Sequence, residues 1–190
     1  MRTAKAGKIR IIAGEYRGRR LSVPDRPGLR PTPDRVRETL FNWLGQSLDG
    51  LSCLDLFAGS GALGFEAASR GAARVVMVEQ DRTAFEGLRK SLDSLKAKRV
   101  ELVLDDAFAF LKRSESFDVV FLDPPFGQNA LPTVFRQLQP TKGMRVYVEA
   151  GEPFTADAGW RELKRARAGQ VSTQLLEWRS DDQGGLPGNV

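Results

Sequence analysis

Between residues 51 and 150 five short apolar runs alternate with segments of helical periodicity, and this alternation constrains the fold more than any other feature. "LSCLDLF" (51–57), "RVVMVE" (74–79), "VELVLDD" (100–106), "FDVVFLD" (117–123) and "MRVYVEA" (144–150) read as strands, with helices expected over 61–71, 82–96, 107–113 and 129–138. Strands joined by helical crossovers run parallel and are covered on both faces, which makes the chain an α/β protein with a Rossmann-like sheet. "WRELKRARAGQVSTQLLEW" (160–178) breaks the rule, because two strand-like runs flank Ala168 and Gly169 with no helix between them. That segment reads as an antiparallel C-terminal hairpin.

The amino-terminal part is different in kind. Residues 1–37 carry 11 Lys and Arg against 3 Asp and Glu, while residues 38–190 carry 18 against 21, so the whole positive excess sits in the first fifth of the chain. "KIRIIAGEYRGRRLSV" (8–23) has short apolar runs around Gly14 and Gly18 and predicts a basic β-hairpin, suited to a phosphate backbone. A solvated basic tail would look similar in composition alone. "RPGLRPTPDRVRETLFNWLGQ" (26–46) then predicts a helix capped by Thr32, with Pro33 in its first position, Val36, Leu40, Trp43 and Leu44 on one face, and Gly45 as the stop. The expected organisation is a basic arm over 1–31, an α/β domain over 32–180 and a loose tail over 181–190.

What is missing narrows the chemistry. The sequence has no histidine and one cysteine, Cys53, which removes the serine triad, the Cys-His pair and the usual zinc ligand sets; no metal is expected. No apolar run approaches the roughly 20 residues of a membrane span. The basic start lacks the apolar stretch of a signal peptide, so a cytoplasmic setting is expected. No segment suggests an oligomer interface, and a monomer is the expectation.

"LDLFAGSGALG" (54–64) places Gly59, Gly61 and Gly64 between a strand and a helix, where glycines let a backbone approach a ligand. Dinucleotide enzymes share that device. Two acids discriminate. Asp55 suits a ligand ammonium better than a pyrophosphate, and Glu79 ends the next strand, where a carboxylate accepts a ribose diol. Together they fit S-adenosylmethionine. Phe57, Ala58 and Ser60 belong to the same loop and Gln80 follows Glu79; Asp106 with Ala107 reads either as an adenine site or as a helix cap, with Asp105 a spectator.

The fourth strand ends in Asp123-Pro124-Pro125-Phe126. A planar exocyclic amine is a poor nucleophile because its lone pair is delocalised. A carboxylate (Asp123) and a backbone carbonyl (Pro124) aimed by two rigid rings would bind its two protons, and Phe126 would stack on the base. Such chemistry needs neither metal nor histidine.

"RIIAGEYRGRRLSVPDRPGLRPTPDRVRETLFNWL", followed by "CLDLFAGSGALGFEAASRGA", "VEQD" and "FLDPPF", resembles the RsmD family of bacterial 16S rRNA (guanine(966)-N(2))-methyltransferases, from about Lys8 to Trp178. The resemblance implies a class I methyltransferase with a seven-stranded, mostly parallel sheet. It implies S-adenosylmethionine as donor and 16S rRNA of the small ribosomal subunit, or an assembly intermediate, as substrate. It also makes Thr32 a candidate for the methionine end of the cofactor. Arg35, Arg37 and Glu38 are left between that pocket and helix-surface ion pairs, and Lys8, Arg10, Arg17, Arg19 and Arg20 become RNA-phosphate contacts. Other readings of the same motif are an amine methyltransferase acting on DNA or on glutamine, and a non-catalytic RNA-binding assembly factor.

Overall fold

The computed structural model describes residues 8–22, 32–125 and 129–179. Phe126 and the 180–190 tail therefore lie outside the described residues. The expected hairpin is present but short: β1 (Lys8–Arg10) pairs antiparallel with β2 (Arg20–Ser22), and a looped turn joins them. Helix α1 (Asp34–Trp43) follows, then β3 (Ser52–Asp55), α2 (Ala62–Ser69), β4 (Arg74–Glu79), α3 (Arg82–Leu95), β5 (Val100–Leu104), α4 (Ala107–Leu111), β6 (Val119–Leu122), α5 (Leu131–Gln137), β7 (Arg145–Ala150), β8 (Trp160–Ala168) and β9 (Val171–Trp178).

Seven of these strands form one sheet in the order β5-β4-β3-β6-β7-β9-β8. β3 to β7 are mutually parallel, β9 is antiparallel to β7, and β8 is antiparallel to β9. The expected α/β sheet with an antiparallel C-terminal hairpin is thus the observed one. Strand order reverses between β3 and β6, the place where ligands bind in open sheets.

Alternation along the strands divides the core in two. Cys53, Met77, Phe121 and Tyr147 face one side, packed by Leu40, Phe41, Ala62, Phe65 and Leu88 of α1, α2 and α3. Leu54, Val76, Val120, Val146 and Val148 face the other, packed by Phe110, Leu111, Val134 and Phe135 of α4 and α5. Burial pushes the Cys53 thiol up to about 12, so it packs as an apolar group.

Helix α1 departs from expectation at its start and buries a wider face than expected. Its N-cap is Pro33 without a side-chain cap bond, and Thr32, buried, donates instead to Glu149. Leu40 and Leu44 of the expected face are buried and Trp43 packs half-buried on the core, but the buried face also takes in Arg37 and Phe41. The cause is a buried ion cluster. Arg37 reaches Glu66 of α2 and Asp34, and also donates to the Arg10 carbonyl at 2.7 Å. Glu66 accepts from the Ile12 and Ala13 backbone N–H groups at 2.8 and 3.0 Å, which ties the hairpin to α2.

Candidate functional site

All five parallel strands deliver an acid to the carboxyl edge of the sheet: Asp55 ending β3, Glu79 ending β4, Asp105 and Asp106 after β5, Asp123 after β6 and Glu149 near the end of β7. The edge is built for a cation or for N–H donors, and it is a poor host for phosphate.

The glycine turn explains how Asp55 is held. Gly61, with φ of 78°, is the N-cap of α2, and a Cβ there would meet Phe65 Cδ2 at 2.6 Å. Gly64 lets α2 lie against β4, since a Cβ would sit 2.7 Å from Met77 Sδ. The buried Asp55 carboxylate accepts the Gly64 N–H at 2.9 Å. Burial, with Glu79 and Glu149 nearby, outweighs that hydrogen bond and pushes Asp55 up to about 7.

Glu79 accepts the Gly59 N–H at 2.9 Å and the Asp81 N–H at 2.7 Å, one on each oxygen, so it shapes the loop and keeps a lone pair on each oxygen. Phe57 and Gly59 are half-buried, Ala58 and Ser60 buried, and Gln80 exposed. Asp106 is the N-cap of α4, its Oδ1 accepting from Phe108 and Ala109 at 2.9 and 3.0 Å, so the capping role is realised; Ala107 beside it is buried. Asp105 pairs with Arg113 at 2.7 Å.

Asp123, Pro124 and Pro125 leave β6 next to β3, with Asp123 and Pro124 half-buried and Pro125 exposed. Parity along the strands puts Asp55, Asp123 and Glu149 on the face that carries Cys53, Phe121 and Tyr147. Burial, then Glu149, then Asp55 hold the Asp123 carboxyl well above the usual carboxylate range. Glu149 and Tyr147 escaped the sequence reading. The available signal was that the fifth strand, "RVYVEA", also carries an acid next to its end.

The turn of the basic hairpin sits elsewhere. Tyr16 N–H donates to Ser69 Oγ at 2.9 Å and Arg19 donates to the Ser94 carbonyl at 2.6 Å, which places the hairpin turn at the far ends of α2 and α3, away from the carboxyl edge. Gly14 permits that contact, since a Cβ would overlap the Ser69 carbonyl. Arg17, Arg19 and Arg20 are exposed and Arg10 lies 3.5 Å from Asp34; Lys8 is in β1, its side chain outside the description. Among the described residues no cluster of three or more His, Cys, Asp or Glu has metal-site geometry, and no helix is long and apolar enough to cross a membrane.

This sheet order, with its glycine turn and acidic carboxyl edge, defines a class I S-adenosylmethionine-dependent methyltransferase fold. The family model described as "Conserved hypothetical protein 95" matches residues 9–177. Ribosomal RNA small subunit methyltransferase D of Escherichia coli K12 is 45% identical over 181 residues, covering 90% of this chain and 91% of its own length. The protein of the same name from Haemophilus influenzae is 43% identical over 182 residues, covering 90% and 94%. The solved structure of Escherichia coli yhhF superposes with a TM-score of 0.83 at 41% identity, covering 91% of this chain and 99% of that one. The chain belongs to this family, that of the ribosomal RNA small subunit methyltransferase D proteins.

Proposed function

We propose that the protein transfers a methyl group from S-adenosylmethionine to the exocyclic N2 amine of a guanine in 16S rRNA, within the small ribosomal subunit or an assembly intermediate. The observation that carries this reading is the emergence of Asp123-Pro124-Pro125 from β6 at the switch point, on the same face as Asp55 and one strand from the glycine turn. The cofactor, when bound, supplies a methyl group already activated on a sulfonium.

The residues present fit it. Asp55 and the acidic edge match an ammonium and a sulfonium, Glu79 has acceptor capacity for a ribose diol, and the glycine turn leaves room that a Cβ would fill. Ala107 and Asp106 border the adenine end. Thr32 stands beside Glu149, where it borders the reacting groups, and the methionine end falls to Asp55.

Asp123 and the Pro124 carbonyl accept the two amine protons, favouring a pyramidal nitrogen whose lone pair faces the methyl carbon. An amine that has taken the methyl group would shed one proton, for which the Asp123 carboxylate is the acceptor. Because the arm turn lies at the far ends of α2 and α3, a bound RNA would run down that face of the domain from the carboxyl edge.

The test is methyl transfer from labelled S-adenosylmethionine to small subunits lacking the modification, with nucleoside analysis and Asp123→Ala as control. N2-methylguanosine that disappears in the variant is the expected result. Cofactor binding without transfer would overturn the substrate assignment and redirect the search to amines in DNA or protein.

A further inference from the structure

Leu122 of β6 pairs with Val148 of β7, so the next residues, Asp123 and Glu149, leave adjacent parallel strands side by side and on one face. Neighbouring strands are about 4.8 Å apart. Two carboxyl groups on neighbouring strands, Glu149 buried and Asp123 half-buried, do not both ionise readily and share one proton. Their surroundings are unequal. Glu149, only 6% exposed, accepts the Tyr147 hydroxyl at 2.9 Å and a hydrogen bond from Thr32, and both bonds favour its charged form.

Among the described residues, other groups also face the pair. Asp55 on β3 adds a further carboxyl, and β9 presents Thr173 opposite Glu149, which carries no charge. Asp123 is therefore raised by burial, by Glu149 and by Asp55, whereas the rise that burial imposes on Glu149 is opposed by Tyr147 and Thr32. Tyr147 is itself raised well above its ordinary range by burial and by Glu149, so its hydroxyl stays a donor.

We infer that Glu149 is a positioning residue for the proposed methyl transfer: held by Tyr147 and Thr32 one strand from Asp123, it confines the proton shared by the two carboxyl groups to Asp123 until a cationic ligand arrives. The inference rests on the proposed role of Asp123 as amine acceptor. A cation at the edge favours ionisation of both carboxyls. Asp123 then gives up its proton and becomes an acceptor only once the donor is in place.

The test is a titration of the free protein, labelled with carbon-13 at Asp and Glu carboxyls and followed by NMR, with Asp123→Asn to assign the resonance. In the wild type the Asp123 midpoint is expected above that of Glu149. Glu149→Gln removes the neighbouring charge and moves the Asp123 midpoint to lower pH. Tyr147→Phe removes a donor from Glu149, so the shared proton shifts to Glu149 and the Asp123 midpoint again falls. An Asp123 midpoint unchanged in both folded variants would overturn the inference.

Turnover gives a second reading. With cofactor and RNA saturating, the acid limb of kcat should move to lower pH in Glu149→Gln, whereas a merely structural role would depress kcat equally at every pH. Because the titration uses no substrate, failure of the rRNA assignment would show as absent transfer in the wild type while the NMR result still decides the role of Glu149.

Discussion

Arg37 and Glu66 meet inside the protein, Nη1 3.3 Å from Oε2, with neither side chain exposed to solvent. Glu66 also pairs with Arg70 at 2.8 Å and accepts the two backbone N–H groups of the arm, so one carboxylate satisfies four donors from three segments. Removing it leaves two backbone amides without partners and a buried guanidinium that keeps only Asp34 and the Arg10 carbonyl. Glu66→Ala should therefore cost about 3–5 kcal/mol, the range for breaking a buried pair from one side. Urea unfolding checks it, and amide exchange at Ile12 and Ala13 should speed up more than exchange in β7.

The glycines of the turn divide by cause. Gly61 combines a φ of 78° with contacts that a Cβ would bring to 2.6 Å, whereas Gly64 sits in a helix and faces only the flexible Met77 side chain. Gly61→Ala should lose about 1–3 kcal/mol through left-handed strain and crowding and weaken cofactor binding at least tenfold. Gly64→Ala should be milder in both. Thermal melts and calorimetric titration with S-adenosylmethionine rank them.

Asp55 sets stability against function. Its folded value of about 7 lies above the ordinary 3.8, so the native state binds more protons than the unfolded chain, and the contribution of this group to stability falls as pH rises from about 4 to about 7. Asp55→Asn keeps an acceptor for the Gly64 N–H and removes the buried charge. It should raise stability at pH 8 by roughly 2 kcal/mol, allowing for relaxation around the site, while abolishing the attraction for the cofactor ammonium. In the wild type, affinity for S-adenosylmethionine should decline below about pH 7 as Asp55 is protonated, a trend that calorimetry across pH 6–8 would detect and that Asp55→Asn should lack.

Most of this architecture follows from local pattern. The parallel strands and crossover helices were legible because each carries its own periodicity and stops at an acid, a glycine or a proline. The strand-end positions of Asp55 and Glu79 were legible because the residues around a strand end are fixed by the sheet. Features that depend on two distant segments were not. Thr32 looked like a cap until Glu149, more than a hundred residues away in sequence, took its hydroxyl. Arg37 stood open between the cofactor pocket and a helix-surface ion pair, and its burial follows from Glu66 of a distant helix. Glu149 was visible as an acid in "RVYVEA", but only the pairing of β6 with β7 sets it beside Asp123. The hairpin was predicted as a feature, and its docking against Ser69 and Ser94 was not, because that contact rests on shape at Gly14.

That docking makes the arm testable apart from the chemistry. Arg17, Arg19 and Arg20 are exposed in the hairpin, which Arg19 ties to Ser94 at the far end of α3, so their loss should not touch the cofactor. If they contact phosphates, each releases about 0.7–0.9 of a counterion on binding, and the triple change to alanine should lower the slope of log affinity against log salt by about 2–3. Such contacts position the substrate without reading its sequence. The triple variant should accordingly need more RNA for half-maximal rate, by tenfold or more near 0.1 M salt, with kcat nearly unchanged. Filter binding to the small subunit across a salt series, beside calorimetry with S-adenosylmethionine, separates the two effects. Equal salt slopes for wild type and variant would remove the arm from the RNA interface.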